Sequence, residues 1–304
     1  MKLTISNVNV SGIEDRQMLK IIRDAGFNGV DFSLPQYANW NYVTKQKRNG
    51  LLHIPTEKVL DYFGNLKKYA DSIGLEIGQM HSPFPCYMEN DLDFSVYSIA
   101  LAKTSIEICA VMGCRYIVTH PAFTDGFYDG VPEKIEKTFE INKSFYTELI
   151  PLLKKYNICI GIENMWASAP YTKKIIPAVC SHATELIKYV DTFNEMAGEK
   201  CFCACLDIGH CNLTGDDPAE FITQLGRRLE IIHLHDNDGL RDLHTCPYIG
   251  NIKWDTVCTA LRTMEYRGNM NLETSSFFNS FPVELYPECL RLLAKTAEHL
   301  VSMI

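Results

Sequence analysis

The sequence predicts a single (β/α)8 barrel over residues 1–304, and three observations carry that prediction. Eight short β-rich runs alternate with eight longer helical stretches, the pattern of a parallel sheet covered by helices. No linker-like shift in composition divides the chain, and its 304 residues fit one barrel, whose usual size is ~250 residues. The G-x-G-x-x-G turn of an open, doubly wound sheet is absent, as are the P-loop and G-x-S-x-G patterns.

In chain order the strand candidates are residues 3–5, 29–33, 75–80, 115–119, 158–163, 202–207, 231–235 and 270–273. Helical stretches lie near residues 14–25, 57–73, 94–112, 132–156, 183–193, 218–225, 254–264 and 286–300. Thr56 before Glu57 predicts an N-cap, since a hydroxyl accepts from the first free backbone N–H groups. Gly26, Gly74 and Gly113 follow helices where a left-handed terminating residue is wanted. Two connections exceed usual loop lengths. Residues 34–55, with Tyr37, Trp40 and Tyr42, predict a lid or an oligomer contact, so a homo-oligomer is an open expectation. Residues 164–181 bring Trp166, Tyr171, Lys173 and Lys174 near the barrel mouth.

Hydrophobic residues make up 46% of the chain and charged residues 22%, which excludes disorder as the dominant state. No run approaches the ~20 consecutive apolar residues of a membrane span. Residues 1–10 lack the apolar core of a secretory signal, so a cytoplasmic protein is expected. The balance of 29 basic and 37 acidic residues gives −8, which disfavours a nucleic-acid partner. Residues 45–48 and Lys173-Lys174 are expected to be solvated loop charges. Twelve cysteines without a C-x-x-C pair imply a reducing compartment rather than a disulfide framework. Cys201, Cys203 and Cys205 alternate along one strand and are expected to be small buried residues rather than thiolate ligands.

The strand ends carry the chemistry. An ionisable residue closes each of Gly161-Ile162-Glu163, Val118-Thr119-His120, Cys205-Leu206-Asp207 and Asn271-Leu272-Glu273. Period-2 alternation puts these residues on the face opposite their aliphatic neighbours, toward the mouth. Asp31, His81, His233 and His235 fit the same scheme. The result is an acidic and imidazole-rich ring at the C-terminal face, where barrel enzymes keep their chemistry. Crowded carboxylates need a compensating positive charge. Arg241 is the only obvious cation nearby in sequence, so a divalent metal is the economical answer, with Mn²⁺, Co²⁺, Fe²⁺ or Zn²⁺ better suited than Ca²⁺.

Six motifs then carry a resemblance: Met80-His81-Ser82-Pro83, Val118-Thr119-His120-Pro121, Gly161-Ile162-Glu163-Asn164, Leu206-Asp207-Ile208-Gly209-His210, His233-Leu234-His235-Asp236-Asn237 and Asn271-Leu272-Glu273. Each is weak alone, but their order at successive strand ends resembles the xylose-isomerase-like barrel superfamily. That superfamily includes sugar isomerases, ketose 3-epimerases, inosose dehydratases and endonuclease IV. The resemblance implies one divalent ion, Mn²⁺ first and Co²⁺, Mg²⁺, Fe²⁺ or Zn²⁺ as alternatives, held by Glu163, Asp207, His235 and Glu273. It implies Glu163 and Glu273 as catalytic groups. His210 resembles the imidazole that holds a substrate hydroxyl in the epimerases, and Arg241, six residues after His235, matches a substrate-contacting arginine there. His81 and His120 are expected to line the substrate pocket. His233 is open between a donor behind the ligands and an interior filler, while His53, His182 and His299 are expected at the surface. Trp40, Phe84 and Trp166 are candidates for the pocket wall.

Asp242-Leu243-His244 resembles the D-x-H pair that completes a three-zinc centre in endonuclease IV, although many sugar-processing relatives also keep such a pair. The following loop departs from the common G-x-G form by carrying Asn251 in place of its second glycine, which leaves the role of Asp242 and His244 open. The expected activity is a metal-dependent sugar isomerase or epimerase working on a small carbohydrate. It acts by removing a proton next to a carbonyl, with an enediolate stabilised by the ion. The alternatives are a dehydratase or C-glycoside-cleaving lyase that shares this opening step, an endonuclease IV-like phosphodiesterase, and a non-catalytic sugar-binding barrel. Scarce cations near the mouth argue for an unphosphorylated substrate.

Overall fold

The computed structural model describes residues 1–304 except 8–12, 39, 42–45, 48–50, 90 and 125, with the backbone alone of Trp40, Asn41, Gln46 and Lys47. Eight strands close into one parallel barrel: β1 (Leu3–Ser6), β2 (Gly29–Ser33), β3 (Glu76–His81), β4 (Tyr116–Thr119), β5 (Cys159–Glu163), β6 (Phe202–Asp207), β7 (Leu229–Leu234) and β8 (Met270–Leu272). Each pairs with its neighbours in sequence and β8 closes on β1, Leu3 opposite Met270, so the winding is single.

The strands are short and almost wholly buried because both faces are covered, the condition for a parallel sheet. Outward residues such as Ile160, Ile162, Phe202, Leu206, Ile232 and Leu234 join the main core beneath the helices. Inward residues form a separate small apolar cluster of Val118, Cys159, Cys203, Cys205 and Ile231. All twelve cysteines are free and buried, as the composition implied.

The outer helices are α1 (Asp15–Asp24), α2 (Thr56–Ser72), α3 (Leu92–Val111), α4 (Pro132–Thr147), α5 (Ile150–Tyr156), α6 (Ala183–Ala197), α8 (Pro218–Leu225), α9 (Trp254–Thr263) and α11 (Tyr286–Ser302). Two shorter ones, α7 (Ile208–Thr214) and α10 (Ser275–Asn279), were not anticipated. The helix expected over 132–156 is two helices, for a covalent reason. Pro151 has no N–H to donate to Thr147, where α4 ends. Thr56 is also not an N-cap; it is the first helical residue, and extended Pro55 precedes it. Gly26, Gly74 and Gly113 do adopt positive φ after their helices.

Helix α3 is long and apolar enough, by length and composition, to cross a membrane; here it buries Phe94, Tyr97, Leu101, Ile106 and Ile108 in the barrel's outer layer. Of the connection at 34–55, expected to be a lid or an oligomer contact, residues 39, 42–45 and 48–50 fall outside the described residues, as does the side chain of Trp40. The long connection at 164–181 folds as an antiparallel hairpin, Trp166–Ser168 against Ile175–Pro177, with Lys173 and Lys174 exposed beyond it.

Candidate active site

Asp207 ends β6 and at once caps α7, its Oδ1 accepting the His210 N–H at 2.7 Å. Asn164, directly after β5, clamps the two strand ends: its Oδ1 accepts from Asp207 N at 2.7 Å and its Nδ2 donates to the Asp207 carbonyl at 3.0 Å. The Asn164 carbonyl also meets His210 Nδ1 at 2.9 Å, which turns His210 Nε2 toward Asp242, 3.7 Å away. Gly209 completes the motif. A Cβ there would lie 2.0 Å from His235 Cε1, so only glycine leaves room for that ring.

The loop after β7 is organised by Asp236, a buried carboxylate that sequence reading did not single out. It accepts from the backbone N–H groups of Asn237, Tyr248 and Ile252 and from Trp254 Nε1, at 2.9, 2.9, 3.3 and 2.9 Å. Gly250 passes so close that a Cβ would lie 2.1 Å from the Asn237 carbonyl oxygen. Asn251 is accommodated because its side chain reaches the Asp238 carbonyl and Asn212. This frame holds Asp242 and His244 over the mouth. His244, at φ 40°, stacks on His235 with centroids 3.9 Å apart, meets Asp242 Oδ2 at 3.1 Å and meets the Glu273 carbonyl through Nδ1 at 2.9 Å. Trp166 donates from Nε1 to Asp242 Oδ2 at 3.2 Å.

Below them, His233 stands among the carboxylates, its Nδ1 2.9 Å from Glu273 Oε2, 3.4 Å from Glu163 Oε1 and 4.0 Å from Asp207 Oδ2. Its Nε2 lies 3.0 Å from Gln79 Nε2. Gln79 also donates to Asp31 Oδ2, which accepts from Asn271 Nδ2 as well. With the Gln79 amide donating, His233 Nε2 accepts and Nδ1 keeps its proton, a tautomer assigned from the hydrogen-bond network. His233 is then a donor facing the carboxylates. Across the mouth, His81 Nε2 and His120 Nε2 lie 3.0 Å apart, and 3.6 and 3.1 Å from Glu163 Oε2.

Of the four residues expected to hold a metal, Glu163, Asp207 and Glu273 converge with His233 into one set of donor atoms mutually within 4.8 Å. His235 stands beside that set, its Nε2 3.0 Å from Asp207 Oδ1, and is grouped with His210, Asp242 and His244. His81, His120 and Glu163 form a further group. Arg241 is not brought in. The turn opened by Asp238 takes the Leu240 and Arg241 N–H groups on Oδ1 and the guanidinium on Oδ2, leaving an exposed ion pair away from the cavity.

The charges interlock. Burial opposes ionisation of Glu163, yet the imidazoles of His120 and His233 hold its carboxyl well below the usual range. Asp242 is depressed by His210 and His244, again against burial. In return, burial opposes a charge on His210, but Asp207 and Asp242 push it up to about 10, and Asp242 and Glu273 push His244 up to about 9. Burial dominates at His120 and lowers it. Several buried polar atoms nonetheless lack a hydrogen-bond partner: Glu163 Oε2, Asp207 Oδ2, Asp242 Oδ1 and both nitrogens of His235. A concentration of unpartnered oxygen and nitrogen donors at one mouth is costly without a cation and fits one well.

A cavity of about 510 Å³ opens over these groups. Its floor is His120, Glu163, His210, Asp242, His244 and Glu273, and its wall includes Phe84, Tyr87, Phe123, Met165 and Trp166; among the described residues no lysine or arginine lines it. Phe84 and Trp166 thus stand where the sequence suggested, and Phe84 stacks on His120 at 4.5 Å. His182 lies at the surface, as expected, and pairs with Asp216 at 2.8 Å.

Comparison with known proteins identifies the architecture. A family model described as a xylose isomerase-like TIM barrel matches residues 19–296. An uncharacterized protein of Methanocaldococcus jannaschii is 26% identical over 229 residues, 74% of this chain and 72% of its own. Among solved structures, a D-tagatose 3-epimerase-like protein is 20% identical with a TM-score of 0.70, covering 99% of both chains. A 3-keto-D-glucoside 4-epimerase from E. coli is 13% identical with a TM-score of 0.70, covering 97% of this chain and 99% of its own. At such identities the structural likeness establishes the fold.

Proposed function

The chain belongs to the xylose isomerase-like TIM-barrel family, and from that membership and the site's geometry we propose that it is a cation-dependent isomerase or epimerase of an unphosphorylated sugar or related polyol-ketone. The observation that carries this reading is the pair of glutamates. Glu163 closes β5 and Glu273 follows β8, both line the cavity, and both reach toward His233 Nδ1, at 3.4 and 2.9 Å. Among the described residues the lining offers a phosphate no lysine or arginine counter-charge, whereas the aromatic wall suits the C–H face of a sugar. The epimerase folds among the structural neighbours agree with this assignment.

Glu163, Asp207, His235 and Glu273 would hold the ion, Mn²⁺ in the first instance, since mixed carboxylate and imidazole donors suit it. A divalent ion bound there supplies Lewis-acid stabilisation of charge developing on a carbonyl oxygen. The protein's own groups do the proton work. Glu163, kept ionised by His120 and His233, removes the proton next to the carbonyl. For epimerisation Glu273 takes up a proton from solvent and delivers it to the other face, and Glu163 releases its proton to solvent; return of the Glu163 proton to the neighbouring carbon gives an aldose–ketose isomer. His210, pinned by Asn164, presents Nε2 to a substrate hydroxyl. General-base catalysis of this kind contributes ~10²–10⁴-fold.

The test is hydrogen exchange in D₂O. With Mn²⁺ and a panel of free ketoses, wild-type protein is expected to wash out the hydrogen next to the carbonyl of its substrate, and Glu163→Gln to abolish the exchange. Exchange at the wild-type rate in Glu163→Gln removes Glu163 from the mechanism. Release of an aglycone or an enone in place of a sugar isomer reassigns the same opening step to a lyase.

One observation favours a second reading. The groups His81–His120–Glu163 and His210–His235–Asp242–His244 can each hold a further cation, which makes the mouth a candidate trinuclear centre for phosphodiester hydrolysis. That reading predicts close to three zinc ions per chain and cleavage of abasic DNA; the lack of lysine and arginine among the described lining residues and the net charge of −8 weigh against it.

A further inference from the structure

At the opposite end of the barrel, Cys159 opens β5 and Cys203 lies on neighbouring β6, both in the interior cluster. The pairing of β6 with β7 shifts register there: Ala204 faces Leu229 and Cys205 faces Ile231, so Glu230 is an extra residue. A bulge of this kind re-aims a side chain. Here it brings the Glu230 carboxylate to the two sulfurs, the three donor atoms lying within 4.8 Å of one another. Sequence alone suggested only packing for Cys203; a carboxylate beside two buried thiols is not what packing selects.

We propose that Cys159, Cys203 and Glu230 form a second metal site, for a thiophilic cation of the Zn²⁺ or Cd²⁺ type, on the floor of the barrel. Donors around a tetrahedral zinc with Zn–S bonds of about 2.3 Å stand about 3.8 Å apart, so side-chain adjustments of roughly 1 Å complete the geometry. The charge balances. Two thiols release their protons to solvent, two thiolates and one carboxylate meet a divalent ion, and the remaining unit of negative charge is matched by Lys200, which is paired with Glu230. A cavity of about 620 Å³ at the N-terminal mouth, lined by Glu230, Lys200, Tyr116 and Tyr266, reaches the Glu230 side of the site, while the two cysteines lie behind its lining. Such a site ties β5, β6 and β7 together at the end of the barrel that serves stability.

The experiment is titration of the metal-free protein with Cd²⁺, followed by thiolate-to-cadmium charge-transfer absorption, to which the nitrogen and oxygen donors of the active site contribute nothing. The expected result is a band with the amplitude of two thiolates. It disappears in Cys159→Ala/Cys203→Ala, persists in Cys205→Ala, and needs at least tenfold more Cd²⁺ in Glu230→Gln. If the double variant does not fold, Cys159→Ala and Cys203→Ala singly should each halve the amplitude. No sulfur band in the wild type overturns the proposal, as does a band undiminished by these substitutions or lost in Cys205→Ala.

Discussion

Single positions set the precision of the mouth. Gly209 is there because the His235 ring occupies the space a side chain would need, the added Cβ falling 2.0 Å from Cε1. Gly209→Ala is expected to displace His235 at a cost of about 1–3 kcal/mol, the usual range for an overpacked core. It should weaken Mn²⁺ binding at least tenfold while the far-UV circular dichroism stays unchanged; undiminished binding would remove His235 from the ligands. Asn164 and Asp207 are legible in sequence as motif members, but their mutual clamp is not, because it is made of backbone groups that only the closed barrel brings together. Arg241 shows the reverse. Its spacing from His235 matches a substrate-contacting arginine, yet Asp238, three residues before it, takes the guanidinium in a local ion pair that spacing cannot register.

At the scale of elements, the strands were legible and the loops were not. The strands are short buried runs with a polar inward residue at or just after the end, as in Glu163, Asp207 and, beyond β4, His120, a pattern that survives in one dimension; β6 falls on residues 202–207 as expected. Helix α7 escaped notice because its seven residues begin at once after Asp207, with no loop to announce it. The loop between β7 and α9 depends on Asp236 receiving four donors, three of them from residues 248–254. Trp254→Phe removes the indole donor and leaves a buried carboxylate oxygen with less compensation. The expected loss is about 1–3 kcal/mol, read as faster amide hydrogen exchange at Tyr248 and Ile252 together with a lower affinity for metal. Unchanged exchange at those two amides would show that Asp236 does not organise the loop.

At the scale of the whole molecule, protons and the proposed cation compete for the same groups. His210 and His244 rise from a usual value near 6.5 to about 10 and about 9 because Asp207, Asp242 and Glu273 outweigh burial. A raised imidazole contributes stability that is complete below about pH 6.5 and is lost as pH climbs through the folded-state value. Metal-free protein should therefore lose thermal stability between about pH 6.5 and 10, and metal binding in that window should release protons and tighten as pH rises. A Tm independent of pH across the window would contradict the charge assignment.

The central claim is that Asp207 and its neighbours hold a divalent cation between two catalytic glutamates, and a calorimetric titration of metal-free protein with Mn²⁺ tests it most directly. Mn²⁺ is indifferent to the thiols of the barrel floor, and Asn at position 207 can still cap α7. The predicted result is one site per chain in the wild type and none in Asp207→Asn. Absent binding, or binding that Asp207→Asn leaves unchanged, would contradict the account.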